Sequence, residues 1–143
     1  MNRFLVCICG VCTIFCVGCG TPEAPSRNTG EQLHFGQGGG FTGEVTYFIL
    51  LEDGRLYEKS RDSIYLLRNR WGRNFTRQMF LNYHTLDLES ITLRAPGNLY
   101  YFLGHQSSGH PLHQIIWGAQ GSPPPSRILD FYQTLYKSTQ SKS

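Results

Sequence analysis

Hydrophobic and polar positions change their spacing several times along this chain, and each change marks an element. The first apolar run, Phe4 to Val17, has no polar face and gives way to a Gly/Thr/Pro/Glu/Ser stretch. From Gly20 to Gln32 apolar residues nearly vanish while Pro22, Pro25, Ser26, Asn28, Thr29 and Gly30 accumulate, which reads as a linker. The glycine-rich segment from His34 to Gly43 predicts a sharp turn into the first strand, with Phe35 and Phe41 as its anchors on the core. Glu44 to Leu51 is rich in β-branched and aromatic residues and predicts that strand. Asp53-Gly54 predicts a hairpin from it to Arg55–Lys59. Ser63 to Arg68 predicts a third strand, with Ile64 and Leu66 on one face and Tyr65 and Leu67 on the other.

The period then becomes helical. Asn74 to His84 predicts a helix capped by Asn74, with Phe75, Met79 and Tyr83 spaced four apart as its apolar stripe. Pro96-Gly97 marks a turn, and Asn98 to Gly104 predicts a strand carrying Tyr100, Tyr101 and Phe102. His113 to Gly118 is its partner, with Ile115 and Trp117 sharing a face. Ser122 and Pro123 predict the start of a last helix, whose core face is Ile128, Phe131, Tyr132 and Leu135. Lys137 favours the negative end of its dipole, and Thr139 to Ser143 is expected to fray. Hairpin-linked strands and two amphipathic helices give an α+β fold: an antiparallel sheet of about five strands with two helices packed on one face, a two-layer sandwich. No alternating βαβ units occur, which argues against a doubly wound nucleotide fold.

Charge changes this picture little, and the leader changes it a great deal. The chain has a formal charge of +3, which loss of Arg3 with the leader lowers by one to +2; neither value points to nucleic acid. Arg3, the short apolar run and Val17-Gly18-Cys19 form the order of a secretory leader. The run is too short to span a bilayer core of ~30 Å, which takes roughly twenty apolar residues. A leader ending at a cysteine resembles the lipobox of bacterial lipoproteins, although Cys16 stands where such boxes usually carry leucine. The resemblance implies cleavage after Gly18, acylation of the Cys19 thiol and a membrane tether. The division is then 1–18 signal peptide, 19–33 lipidated cysteine and flexible linker, and 34–143 one α+β domain. All five cysteines lie at or before Cys19, so the mature domain has no disulfide framework, cysteine zinc site or thiol nucleophile.

The segment Phe35 to Gly43, Tyr47, Asp53-Gly54, Pro96-Gly97-Asn98 and Trp117-Gly118 together resemble a group of small lipoproteins of Bacteroidota-type bacteria. That resemblance implies an envelope location, with the outer membrane facing the periplasm favoured because residue 20 is glycine rather than aspartate. It brings no catalytic residue and no cofactor.

Three constellations could carry chemistry. The glycine box lacks the lysine and hydroxyl of a phosphate-binding loop and is followed by a strand, so turn geometry explains it. His105, His110 and His113 could converge on a zinc or copper ion if a hairpin brings them together, but their neighbourhood offers no carboxylate to orient them. Arg68, Arg70, Arg73 and Arg77 cluster with Trp71 and Phe75; outside the cytoplasm such forks suit carboxylates or phosphates of the envelope. No nucleophile elbow or paired acid–base set is present. The leading expectation is a non-enzymatic envelope binding or scaffold domain, its partners the membrane, an envelope protein or an anionic envelope polymer, with Tyr100 and Tyr101 as a contact face. The alternatives are a histidine-based metal-binding or hydrolytic enzyme, and a periplasmic inhibitor or adaptor docking by its sheet edge.

Overall fold

The computed structural model describes residues 24–25 and 30–140, and the leader, Gly18, Cys19 and most of the linker lie outside them. The chain runs β1 (Gln32–Gly39), β2 (Glu44–Leu51), β3 (Arg55–Lys59), β4 (Tyr65–Arg70), α1 (Arg73–Thr85), a 3-10 turn (Leu88–Ser90), β5 (Leu99–Gln106), β6 (His113–Trp117) and α2 (Ser126–Gln140). The six strands form one sheet in the order β4-β3-β2-β1-β5-β6, antiparallel at every pairing. The fold is α+β, with one strand more than the hydrophobic pattern predicts.

That extra strand is β1, and it sits at the centre. Gln32 to Gly39 pairs residue for residue with Leu51 to Glu44 on one side and with Gln106 to Leu99 on the other. Its sequence hides this because glycine is depleted in strands and Gln32, Leu33, His34, Phe35 and Gly36 are buried on both faces, so no alternation shows. Gly36 tolerates no side chain: a Cβ there would lie 2.0 Å from the Thr46 carbonyl oxygen and 2.8 Å from the Phe102 ring. The turn after β1 follows the expected glycine chemistry, with positive φ at Gly39, Gly40 and Gly43. Phe35 is fully buried as expected, but Phe41 is not an anchor; it projects wholly into solvent from the turn tip.

Both helices cover one face of the sheet. Leu33, Phe35, Phe48, Leu50, Leu56, Leu103, Ile115 and Trp117 meet the buried faces of α1 and α2 in one cluster. In α2 these are Ile128, Phe131, Tyr132 and Leu135, the four positions the period selects. Tyr132 also donates its hydroxyl proton to the Gly36 carbonyl, 3.0 Å away. The helix begins at Ser126 rather than Pro123, because each proline of Pro123–Pro125 disfavours helical geometry in the residue before it. It runs to Gln140, so Thr139 and Gln140 are helical rather than frayed. In α1 the buried face is Thr76, Met79, Phe80 and Tyr83. Phe75 stands off that stripe, 37% exposed, with its ring edge on Trp71. Nor does Asn74 cap the helix: the cap is Gly72, with no side-chain hydrogen bond.

The β2–β3 hairpin fixes where α1 starts. Gly54 adopts φ +91°, and its would-be Cβ lies 2.4 Å from the Trp71 carbonyl oxygen. The Trp71 amide donates to the Gly54 carbonyl at 2.8 Å, and Trp71 is buried. β4 starts at Tyr65 rather than Ser63, since Ser63 takes a left-handed conformation in the preceding turn. Its register slips between Leu67 and Asn69, so Arg68 is an extra residue without a partner in the ladder. On the opposite face of the sheet Ile49, Leu51 and Tyr57 form a smaller cluster with Tyr47 and Tyr65.

Gly36→Ala is expected to lower the unfolding free energy by about 3 kcal/mol or more, because backbone rather than a mobile side chain blocks the new methyl. Gly40→Ala meets nothing within 4 Å and should cost only about 1 kcal/mol of left-handed strain. Urea denaturation of the two variants measures the contrast.

Candidate functional site

Two groups of polar side chains gather at the end of the sheet where β1 begins. The first holds two imidazoles between two carboxylates. Glu31 immediately precedes β1, and the register of β1 on β5 sets His105 opposite Leu33, beside it. α1 delivers His84 in its last turn. Asp87 then takes a left-handed conformation (φ +51°) that ends the helix and folds the chain back, while fully buried Leu88 plugs the core. Ser90 Oγ donates to the Asp87 carbonyl at 2.9 Å and carboxylate at 2.7 Å, locking the turn that presents Glu89.

The geometry is two-ended. Glu31 Oε2 lies 3.4 Å from His84 Nε2 and 3.8 Å from His105 Nε2. Glu89 Oε1 lies 3.0 Å from His84 Nδ1 and 3.3 Å from His105 Nδ1. The two rings are 5.1 Å apart, edge to face. His105 is 7% exposed and packs against the Tyr83 ring, whereas His84 is open to solvent. Burial lowers the His105 pKa first; Glu31 and Glu89 pull it up and His84 pushes it down, with a net fall below 6.5. Its Nε2 is buried with no hydrogen-bond partner among the described residues.

The other two histidines singled out by the sequence go elsewhere. His113 does pair with His105 across the β5–β6 hairpin. Yet both its ring nitrogens are engaged: Nε2–H donates to the Ile91 carbonyl at 3.1 Å and Nδ1 accepts from the Tyr83 hydroxyl at 3.1 Å. Burial raises the Tyr83 pKa and keeps that hydroxyl protonated. His113 is thus a pin holding the turn after α1 to the sheet. His110 sits exposed at the hairpin tip, its Nδ1 within 3.2 Å of Ser107 Oγ and 3.0 Å of the Ser108 carbonyl. The expected triad of His105, His110 and His113 does not converge. The carboxylates absent from its sequence neighbourhood come instead from Glu31 and Glu89, which are distant along the chain.

The second group lines an open groove of about 910 Å³ at the start of α1, bounded by Glu31, Glu52, Asp53, Arg70, Trp71, Arg73, Arg77 and Phe80. Three of the four expected arginines meet here. Arg68 stays apart, paired with Glu58 at 2.5 Å on the β4 bulge. The acids of the groove have partners: Asp53 holds Arg55 at 2.6 Å, Glu52 accepts the Glu31 amide at 3.3 Å, and Glu31 faces the histidines. The guanidinium groups of Arg70, Arg73 and Arg77 have no ion-pair partner among the described residues. α1 also begins without a side-chain cap or an acidic residue in its first turn. Positive charge is therefore concentrated where the helix dipole is already positive.

Tyr100 and Tyr101 are both half-buried. Tyr100 lies over Gly38, and Tyr101 stacks on Trp117 at 5.9 Å and packs against the core. The chain matches no protein-family model, and no curated protein matches it.

On the far face of the sheet His34 joins a directional chain of hydrogen bonds. The Tyr47 hydroxyl donates to Nδ1 at 2.8 Å, Nε2–H donates to Gln32 Oε1 at 3.1 Å, and Gln32 Nε2 donates to the Pro25 carbonyl at 2.8 Å. Burial, then the charges of His105 and Lys59, lower the His34 pKa to about 4, and burial raises that of Tyr47 to about 12. His34 is therefore neutral in the fold at pH 7. In the unfolded chain it takes a proton below 6.5, so stability is full above 6.5 and is lost as pH falls toward about 4. Between pH 7 and pH 5 the loss should be about 2 kcal/mol for this ring. Urea midpoints at the two pH values measure it, and His34→Gln should shrink the drop by that amount.

Proposed function

We propose that this protein is a lipid-tethered binding domain of the bacterial envelope, held at the outer membrane through an acylated Cys19 and facing the periplasm. It acts by capturing an anionic envelope polymer in the groove at the start of α1, rather than by catalysis. The observation that carries the reading is the set of three guanidinium groups, Arg70, Arg73 and Arg77, with no ion-pair partner among the described residues, beside a helix start without a side-chain cap. Guanidinium forks bind carboxylate and phosphate in two-pronged fashion, and a groove lets one anionic group meet more than one of them. Trp71 and Phe80 supply an apolar floor against which the backbone of a polymer can rest. The leader supports the address: with two or more acyl chains the tether would be effectively permanent.

Exposed charge contacts are each worth about 0.2–1 kcal/mol, so each arginine contributes a factor of roughly one and a half to five. Replacing Arg70, Arg73 and Arg77 together by Gln should therefore weaken co-sedimentation with purified peptidoglycan by about 3- to 125-fold. Added salt should weaken the wild type in the same way. Binding that survives the triple replacement would contradict the groove. Palmitate labelling tests the tether separately: the wild type should label and Cys19→Ala should not. Label retained after Cys19→Ala, or no label on the wild type, would remove the anchor.

A further inference from the structure

We propose that His84, His105 and Glu31 form a binding site for one divalent first-row transition-metal ion, zinc by its donor set, with Glu89 orienting the two imidazoles. The site shares Glu31 with the wall of the proposed anion groove but does not depend on that groove binding an anion.

The donor atoms are already close to what a metal demands. One ring nitrogen each of His84 and His105 and a Glu31 oxygen all lie within 4.8 Å of one another. Tetrahedral zinc with bonds of about 2.0–2.1 Å places its ligands roughly 3.4 Å apart. Glu31 Oε2 stands at 3.4 Å from His84 Nε2 and 3.8 Å from His105 Nε2, so side-chain rotation suffices to close the set. Two histidines and one glutamate are a donor set zinc uses with its fourth position open. Imidazole with carboxylate also suits copper and nickel, which makes geometry rather than affinity the discriminator.

Two further observations separate a metal site from a surface ion-pair cluster. The first is Glu89. A ligating histidine needs its proton on the nitrogen that does not face the metal, and a carboxylate on that side fixes it there. Glu89 lies at the Nδ1 side of both rings and Glu31 at the Nε2 side of both, so one carboxylate can orient while the other ligates. The second is His105 itself. Its Nε2 points into the cluster from a side chain that is 8% exposed, with no hydrogen-bond partner among the described residues.

The test is zinc titration of the full chain, folded and with its cysteines alkylated so that only nitrogen and oxygen donors remain. A chromophoric competitor reads the affinity. One equivalent should bind, and His110→Ala should bind as the wild type does. His84→Ala removes an exposed ligand and should weaken binding more than about 100-fold, while Glu89→Gln should weaken it about 10–100-fold. Cobalt in place of zinc should give the visible bands of a four-coordinate site in the wild type and lose them in His84→Ala. Circular dichroism confirms that each variant is folded, and Glu89→Gln serves should His84→Ala unfold. Absence of zinc uptake by the folded wild type at about 0.1 mM metal would overturn the proposal. So would an affinity unchanged in both His84→Ala and Glu89→Gln, or one lost equally in His110→Ala.

Discussion

The fold rests on β1 being paired on both sides. Eight residues exchange ladder contacts with β2 and with β5, and the close approach at Gly36 leaves no room for a side chain between β1 and the Thr46 carbonyl. The same residue accepts the Tyr132 hydroxyl, which ties α2 to the middle of the sheet. Removing β1 would leave a three-stranded β4-β3-β2 piece and the β5–β6 hairpin, with two new edges and without Leu33 and Phe35 in the core between them. β1 to β4 follow one another as antiparallel neighbours through turns, and the α1 connection then carries the chain from edge strand β4 across the sheet to β5, on the other side of β1.

That central position also brings the chemistry together. Because β1 starts beside the end of β5, Glu31 emerges next to His105, and the last turn of α1 lays His84 over both. Glu31 has a second neighbourhood, the groove lined by Arg70, Arg73 and Arg77. Its carboxylate is thus the one charge common to the cationic groove and the imidazole cluster. A cation held by the cluster would draw that negative charge away from the groove and leave the arginines more strongly positive toward an anion. The two surfaces are chemically distinct but electrostatically joined through one side chain.

Much of the fold was legible in the sequence because it rested on periodicity. Ile128, Phe131, Tyr132 and Leu135 were readable as a core face, and Asp53-Gly54 as a hairpin, since a helical repeat and a turn dipeptide are local signals. β1 was not, because a strand buried on both faces carries no alternation and its glycines answer to contacts far along the chain. Helix starts were misplaced where local chemistry was overruled: consecutive prolines delayed α2, and the Gly54–Trp71 contact set the entry to α1. The site was only half legible. Arginines clustered in sequence largely stayed clustered in space. The histidines did not, since His105 meets His84 and the two glutamates only through the register of β1 on β5. His84 gave one sequence signal, a titratable residue at a helix end, and Glu31 gave none within what read as a linker.

The central claim is that sheet register, not sequence proximity, selects which imidazoles work together. Long-range proton–nitrogen spectra of the five histidine rings during zinc addition test it directly. The account expects the Nε2 resonances of His84 and His105 to shift together and saturate at one equivalent, while His34, His110 and His113 hold their positions. A response shared by His105 with His110 or His113, with His84 unmoved, would contradict it.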